Sequence, residues 1–257
     1  MVLRILKAAL GVGVTVDSVL TERTVTPGGT LQGEVKFTGG DVDQKVEGIT
    51  LEFTALVERD DKGETATTTH HFHRAQVSGP FQLAKGTAHS VQFEVPVPWE
   101  TPLSSLAGRP LPGMTLGVST ELALDKAFDK GDLDPLTVEP LPVQAAVLDA
   151  MESLGFVFQT ADLEDGTIAG SHMPFYQEIE YWPSGEFRDS FKELELTFVT
   201  GKTTTDVVLQ ADDHGSLLSP GHDTYQRFTV SNDDAGDMVE ALRTQLQQLA
   251  TRRGAAG

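Results

Sequence analysis

Two histidines in this sequence have the spacing of a partial zinc site. His71 and His73 lie two residues apart in a stretch with strand-like alternation, so both imidazoles are expected on one face, about 6.5 Å apart. Zinc takes imidazole ligands but requires four, so His89 or an acidic side chain would have to complete the site. The alternative interpretation is a polar outer face of a strand that binds no metal.

A second candidate metal site is the acidic segment Asp125–Asp134. Asp125, Asp129, Asp132 and Asp134 crowd this predicted loop, as carboxylates do around calcium. Their spacing does not follow the D-x-D-x-D-G pattern with a closing glutamate. Aspartates also favour turns, because their side chains accept hydrogen bonds from nearby backbone amides. The sequence leaves open whether this segment or the histidine pair binds a metal, and no cofactor is predicted.

Paired acids elsewhere could in principle perform hydrolytic chemistry. Glu178/Glu180 and Glu193/Glu195 alternate with apolar residues, which predicts that they lie on the solvent side of strands. A sandwich hydrolase would need two such carboxylates facing a cleft, about 5–10 Å apart. The sequence contains no G-x-S-x-G, H-E-x-x-H or phosphate-binding glycine motif, and these mark the common catalytic sites. We therefore predict no catalytic residues and a protein that is not an enzyme.

Composition narrows the classes of partner. The 257 residues carry a formal net charge of −19, which repels nucleic-acid phosphates and anionic lipid. The chain has no cysteine, so disulfides are excluded and a cytoplasmic location is predicted. No apolar run is long enough to span a bilayer. The start of the chain, Met1–Val16, is predicted to pack on the protein, with transient membrane docking as the alternative.

The elements around these residues are mostly strands. In the segment from Thr24 to Val57, apolar side chains such as Leu31, Val35 and Phe37 alternate with polar ones. A period of two predicts half-buried strands, with one face on a core and the other in water. Similar runs recur along the chain, and together they predict an antiparallel β-sandwich.

Prolines and two helical patterns divide the chain. Pro135, Pro140 and Pro142 interrupt the strand pattern, so we predict one domain at residues 1–140 and a second at residues 141–257. A short helix is expected to follow Pro142 and to end near Gly155. An amphipathic C-terminal helix is expected after a capping sequence that begins at Ser231.

Several stretches resemble one bacterial family over most of the chain. They are similar, in the same order, to segments of the sporulation-control protein M (Spo-zero-M) family: Val25–Val35, Phe93–Pro98, Leu122–Leu136, Met173–Tyr181 and Phe187–Phe198. The His70–His73 segment is not part of that resemblance.

The resemblance implies a fold of two arrestin-like β-sandwich domains and no enzymatic activity. It also implies a regulatory or scaffold role in sporulation, or in the control of cell shape and division, through protein partners. An arrestin-like module can recruit a partner by adding a strand to an open sheet edge, and exposed strands also permit a homodimer. The alternatives from other classes are a metal-sensing module and a sandwich hydrolase.

Overall fold

The computed structural model describes residues 13–61, 64–124, 127–212, 225–234 and 236–256. The chain is mainly β, as predicted. Its elements in chain order are β1 (Thr15–Leu20), β2 (Thr24–Val25), β3 (Thr30–Thr38), β4 (Gln44–Asp61), β5 (Glu64–Ser78), β6 (Phe81–Leu83), β7 (Ala88–Pro96), β8 (Ser105–Leu106), β9 (Arg109–Pro110), β10 (Leu116–Leu124), β11 (Ala127–Pro135), β12 (Thr137–Val138), α1 (Pro142–Ser153), β13 (Phe156–Asp165), β14 (Phe175–Pro183), a 3-10 turn (Gly185–Phe187), β15 (Glu193–Thr200), β16 (Thr204–Asp212), β17 (Tyr225–Ser231) and α2 (Val239–Ala256).

The first half of the chain forms two sheet layers. A three-stranded sheet, β1-β3-β7, lies over the part of a larger sheet that contains β5, β4, β10 and β11. The alternating apolar residues that predicted these strands form the shared core, and Leu31, Val35 and Phe53 are all fully buried. Removal of this apolar surface from water is the main stabilising contribution to the layer packing.

The larger sheet continues into the second half of the chain. Strand β13 pairs in parallel with β4, with Glu164 opposite Glu58. Strands β13 to β17 then follow one another as antiparallel neighbours. The ten-stranded sheet therefore crosses the predicted boundary at residues 140 and 141, and it brings side chains of the two halves together.

The two helices expected in the second half are both present, and they pack on the sheet and on each other. The stripe of Val143, Val147 and Met151 on α1 is buried, as are Leu242 and Leu246 on α2. Pro142 opens α1, as predicted, and Gly155 follows its end with φ of +85°. A positive φ suits glycine because it has no Cβ.

Two sequence predictions about secondary structure were wrong: where the C-terminal helix begins, and that the acidic segment is a loop. Helix α2 begins at Val239, not after Ser231, because Ser231 ends β17 and Asp237 accepts the hydrogen bond of the Val239 amide at 2.9 Å. The acidic segment is not a loop from residue 127 onward. It forms β11, which pairs with β10.

The predicted calcium segment is described only in part. Asp125 lies outside the described residues, as do the side chains of Asp129 and Asp132. Asp134 lies near Arg23, with 3.6 Å between their charged atoms. Residues 1–12 of the predicted N-terminal segment are also outside the described part of the chain. None of the described helices is long and apolar enough to cross a membrane.

Candidate functional site

The two histidines of the predicted zinc site do not share a face. The pairing of β4 with β5 shifts register between Phe53 and Thr54, so that Phe53 lies opposite His73 while Thr54 lies opposite His71. Phe72 is the extra residue of this β-bulge, which reverses the expected alternation. The His73 ring lies 5.5 Å from that of buried Phe53, and His71 lies on the other face.

His71 belongs to an ion-pair network around a buried glutamate. Glu52 is only 2% exposed, and its carboxylate lies 3.2 Å from His71 Nδ1 and 2.8 Å from an Arg74 nitrogen. Arg74 also contacts Glu121 at 3.1 Å. His89 lies elsewhere, stacked on Phe37. This network compensates buried charge and gives no support to a zinc site.

A different cluster of carboxylates lies where the two halves of the large sheet meet. Asp162 on β13 is directly opposite Glu178 on β14, and Glu164 is directly opposite Glu58 on β4. One carboxylate oxygen from each of Asp162, Glu164 and Glu178 lies within 4.8 Å of the others. Among the described residues, only these three form such a group of potential metal ligands. We call them the acidic cluster.

Two of the paired acids named in the sequence analysis are more buried than their pattern predicts. Glu178 and Glu180 share a face, as expected, but Glu178 is only 6% exposed, as is Glu195 on β15. The prediction that these acids lie on the solvent side was wrong for Glu178 and Glu195, whereas Glu180 and Glu193 are half-buried. Their face of the sheet is itself largely covered, since Thr197 and Val208 on it are each 2% exposed. Alternation identifies the face of a strand, but it does not show whether that face contacts water.

Two oxygens of the cluster have no hydrogen-bond partner. They are Glu178 Oε1 and Asp162 Oδ1, and both atoms are buried. Buried polar atoms are nearly always hydrogen-bonded, because leaving one unpaired costs about 1–3 kcal/mol. The two oxygens therefore need an explanation that the described protein atoms do not supply.

Burial and mutual repulsion favour the protonated forms of these acids. Burial, and then the neighbouring Glu195 and Asp162, raise the pKa of Glu178 to about 10. Burial, and then Glu58, raise the pKa of Asp162 to about 6. Burial and a hydrogen bond with Glu193 raise the pKa of Glu180 to about 7. In the metal-free protein at neutral pH, Glu178 is therefore protonated, whereas the pKa values of Asp162 and Glu180 lie within about one unit of neutrality.

A second feature with functional potential is the outer edge of β7. Strand β7 pairs with β3 through nine consecutive positions without a register shift. Just beyond each end of this ladder, the Val97 amide donates to Gly29 and the Gly39 amide donates to Thr87. In an antiparallel pair the bonded positions alternate, so the odd-numbered residues of β7 bond to β3.

The even-numbered residues of β7 therefore direct their backbone groups away from β3. These residues are Ala88, Ser90, Gln92, Glu94 and Pro96, and each has an exposed side chain. In the described part of the chain, β7 has no second pairing strand. The β5 edge beside it contains two register shifts, which discourage strand addition, whereas β7 is regular. We call this feature the β7 edge.

Comparison with known proteins identifies the family. A family model described as SpoOM protein matches residues 3–215. The chain belongs to the SpoOM protein family. The SpoOM relative "Sporulation-control protein spo0M" from Bacillus subtilis (strain 168) is 31% identical over 260 residues, which cover 95% of this chain and 97% of the relative.

The structure of this chain is also similar to a solved structure from the SpoOM family. The crystal structure of Spo0M from Bacillus subtilis matches with a TM-score of 0.80 and 26% identity, over 92% of this chain and 98% of that one. The predicted resemblance to this family is thus confirmed, together with the mainly-β fold class.

Proposed function

We propose that this chain is a non-enzymatic control protein that acts in sporulation by binding protein partners at the β7 edge. The proposal takes its biological context from the relative named as a sporulation-control protein. The structural observation that carries it is the run of outward-facing backbone groups on β7. Such an edge is a template for an extended segment of another chain, which adds as a further strand.

The chemistry of the surface agrees with a protein partner. A formal net charge of −19 opposes binding to nucleic acid and to anionic membranes. The absence of cysteine is in keeping with a cytoplasmic location. The side chains beside the edge are short or polar, with Glu34 and Lys36 of β3 on the same face as the even-numbered residues of β7. Specificity would come from alternate side chains of the added strand.

The alternative of a hydrolase that uses surface acids has little support. Glu178 and Glu195 are each 6% exposed, and a polysaccharide substrate must reach both carboxylates of a glycosidase. Glu180 is more accessible, but its side chain is hydrogen-bonded to that of Glu193, and the two carboxyl groups are then closer together than the ~5 Å or more that a glycosidase pair requires. The buried acids therefore agree with a role that is not catalytic.

The β7 edge can be blocked at Gln92 without breaking the fold. Gln92 directs its amide outward, so Gln92→Pro removes one outward donor and leaves the bonds to β3 intact, and proline is tolerated at such edge positions. Gln92→Thr is the matched control, because it keeps the amide. We expect wild type and Gln92→Thr to retain the same partner in affinity purification from the host cells, and Gln92→Pro to retain it at least about tenfold less.

The same pair of variants tests the biological role. In a host strain lacking the gene, Gln92→Thr should restore the wild-type number of heat-resistant spores and Gln92→Pro should not. Equal retention and equal complementation by both variants would contradict the proposed edge. Sedimentation of the purified chain distinguishes a foreign partner from a second copy, since a homodimer formed at this edge would dissociate in Gln92→Pro.

A further inference from the structure

The acidic cluster has the chemistry of a cation site as well as its geometry. Three carboxylates, those of Asp162, Glu164 and Glu178, approach to within 4.8 Å. Acids often cluster without a ligand, but one member here is 6% exposed and has a buried oxygen without a partner. The member is Glu178, whose carboxylate supplies one of the three converging oxygens. A bound cation would give a partner to Glu178 Oε1 and also to Asp162 Oδ1.

We propose that Asp162, Glu164 and Glu178 bind one divalent metal cation of the class that prefers oxygen ligands. The donors are all carboxylate oxygens, and the described residues place no histidine in the group. Such a donor set suits Ca²⁺, Mg²⁺ or Mn²⁺, and it disfavours zinc and copper. Water molecules would complete the coordination.

The spacing of the oxygens favours the larger ion. Calcium takes oxygen ligands at about 2.3–2.6 Å, whereas magnesium requires about 2.0–2.1 Å in a near-ideal octahedron. Oxygens up to 4.8 Å apart can contact one calcium ion after small side-chain movements. Magnesium would require a tighter contraction of residues held on two strands, so calcium is expected to bind more strongly.

Two further acidic residues lie beside the acidic cluster. Glu58 lies opposite Glu164 on the neighbouring strand, and Glu180 follows two residues after Glu178 on the same face. A divalent cation would therefore relieve repulsion among five carboxylates as well as coordinate three. The acidic cluster lies in the second half of the chain, and this inference does not depend on the β7 edge.

Calorimetry and thermal unfolding of the full chain, stripped with a chelator, test the site. Titration with CaCl₂ should give saturable binding of one ion per chain, and MgCl₂ should bind more weakly. At a tenfold excess of Ca²⁺ over Kd, the Tm should rise by about 3–5 °C. Glu178→Gln and Asp162→Asn should each lose this rise. Glu94→Gln, which changes an exposed acid on β7, should keep it.

Glu178→Gln is informative because it should not unfold the protein. Glutamine keeps the shape of the side chain and is neutral, like the protonated carboxyl that burial favours, so the metal-free variant should melt at or above the wild-type temperature. A lost calcium response in a well-folded variant therefore reports the site itself.

Terbium luminescence gives a second readout that does not depend on stability. Tyr176 lies opposite Glu164 on the next strand, close enough to sensitise a bound Tb³⁺ ion. Calcium should displace the terbium and quench the signal, and Glu178→Gln should show none. The proposal is overturned if wild type shows neither heat nor a Tm shift with CaCl₂ or MgCl₂, or if Glu178→Gln and wild type respond equally.

Discussion

Replacement of Arg74 by methionine is expected to lower the free energy of unfolding by about 3 kcal/mol. Glu52 is 2% exposed, and Arg74 contacts its carboxylate at 2.8 Å while also reaching Glu121 at 3.1 Å. Methionine keeps much of the aliphatic volume but removes the positive charge. The buried carboxylate then loses its main compensating partner, and that loss is far more costly than the loss of an exposed ion pair.

Arg59→Met is the matched control for this prediction. Arg59 lies 3.9 Å from Asp165, and the two side chains are 66% and 40% exposed. Exposed pairs contribute about 0–1 kcal/mol, so this variant should be nearly neutral. Urea unfolding of the two variants and wild type gives the comparison. Equal losses in both variants would show that Glu52 does not depend on Arg74.

The second large effect is a decline of stability with rising pH that depends on Glu178. Its folded-state pKa is raised from 4.5 to about 10. Below the unfolded-state pKa the carboxyl is protonated in both states and costs nothing. Above it the unfolded chain releases the proton while the folded chain keeps it, so stability falls as pH rises toward the folded-state pKa.

One proton difference corresponds to about 1.4 kcal/mol per pH unit. In the presence of a chelator, we therefore expect Glu178 to account for a loss of about 3 kcal/mol in unfolding free energy between pH 5.5 and 8. Asp162 and Glu180 act in the same direction over lower pH windows, because their pKa values are raised to about 6 and about 7.

Urea unfolding at several pH values separates Glu178 from the rest of the cluster. The charged groups that act on it are Asp162 and Glu164 on β13, Glu180 on β14 and Glu195 on β15. Glu178→Gln should remove most of the fall in unfolding free energy with rising pH, whereas Glu94→Gln should leave that fall unchanged. Parallel curves for wild type and Glu178→Gln would contradict the assignment.

Local patterns in the sequence predicted the elements well. The helix expected between Pro142 and Gly155 is present as α1, and the alternation around Glu193 and Glu195 correctly indicated a strand, β15. These patterns depend only on neighbours along the chain, and the 3.6- and 2-residue periods are set by backbone geometry. The helix start after Ser231 was wrong because several residues there could cap a helix equally well.

The sequence did not predict how the candidate site residues come together, because this depends on contacts between residues far apart in the chain. The bulge at Phe72 moved His71 away from His73, and it arises from pairing with β4. Asp162 meets Glu178 through the register of β13 and β14, and Glu58 comes from a strand about a hundred residues earlier. The sequence also did not predict the burial of Glu178, since an acid in an alternating strand ordinarily indicates a face in water.

Hydrogen exchange along β7 tests the central claim of an open binding edge most directly. The amides of Val91 and Phe93 bond to β3 and should be protected in the free protein. The amides of Ser90, Gln92 and Glu94 point outward and should exchange rapidly, which gives an alternating pattern in amide-resolved NMR. Equal protection of both sets would show that the edge is already covered, and it would contradict the proposed binding mode.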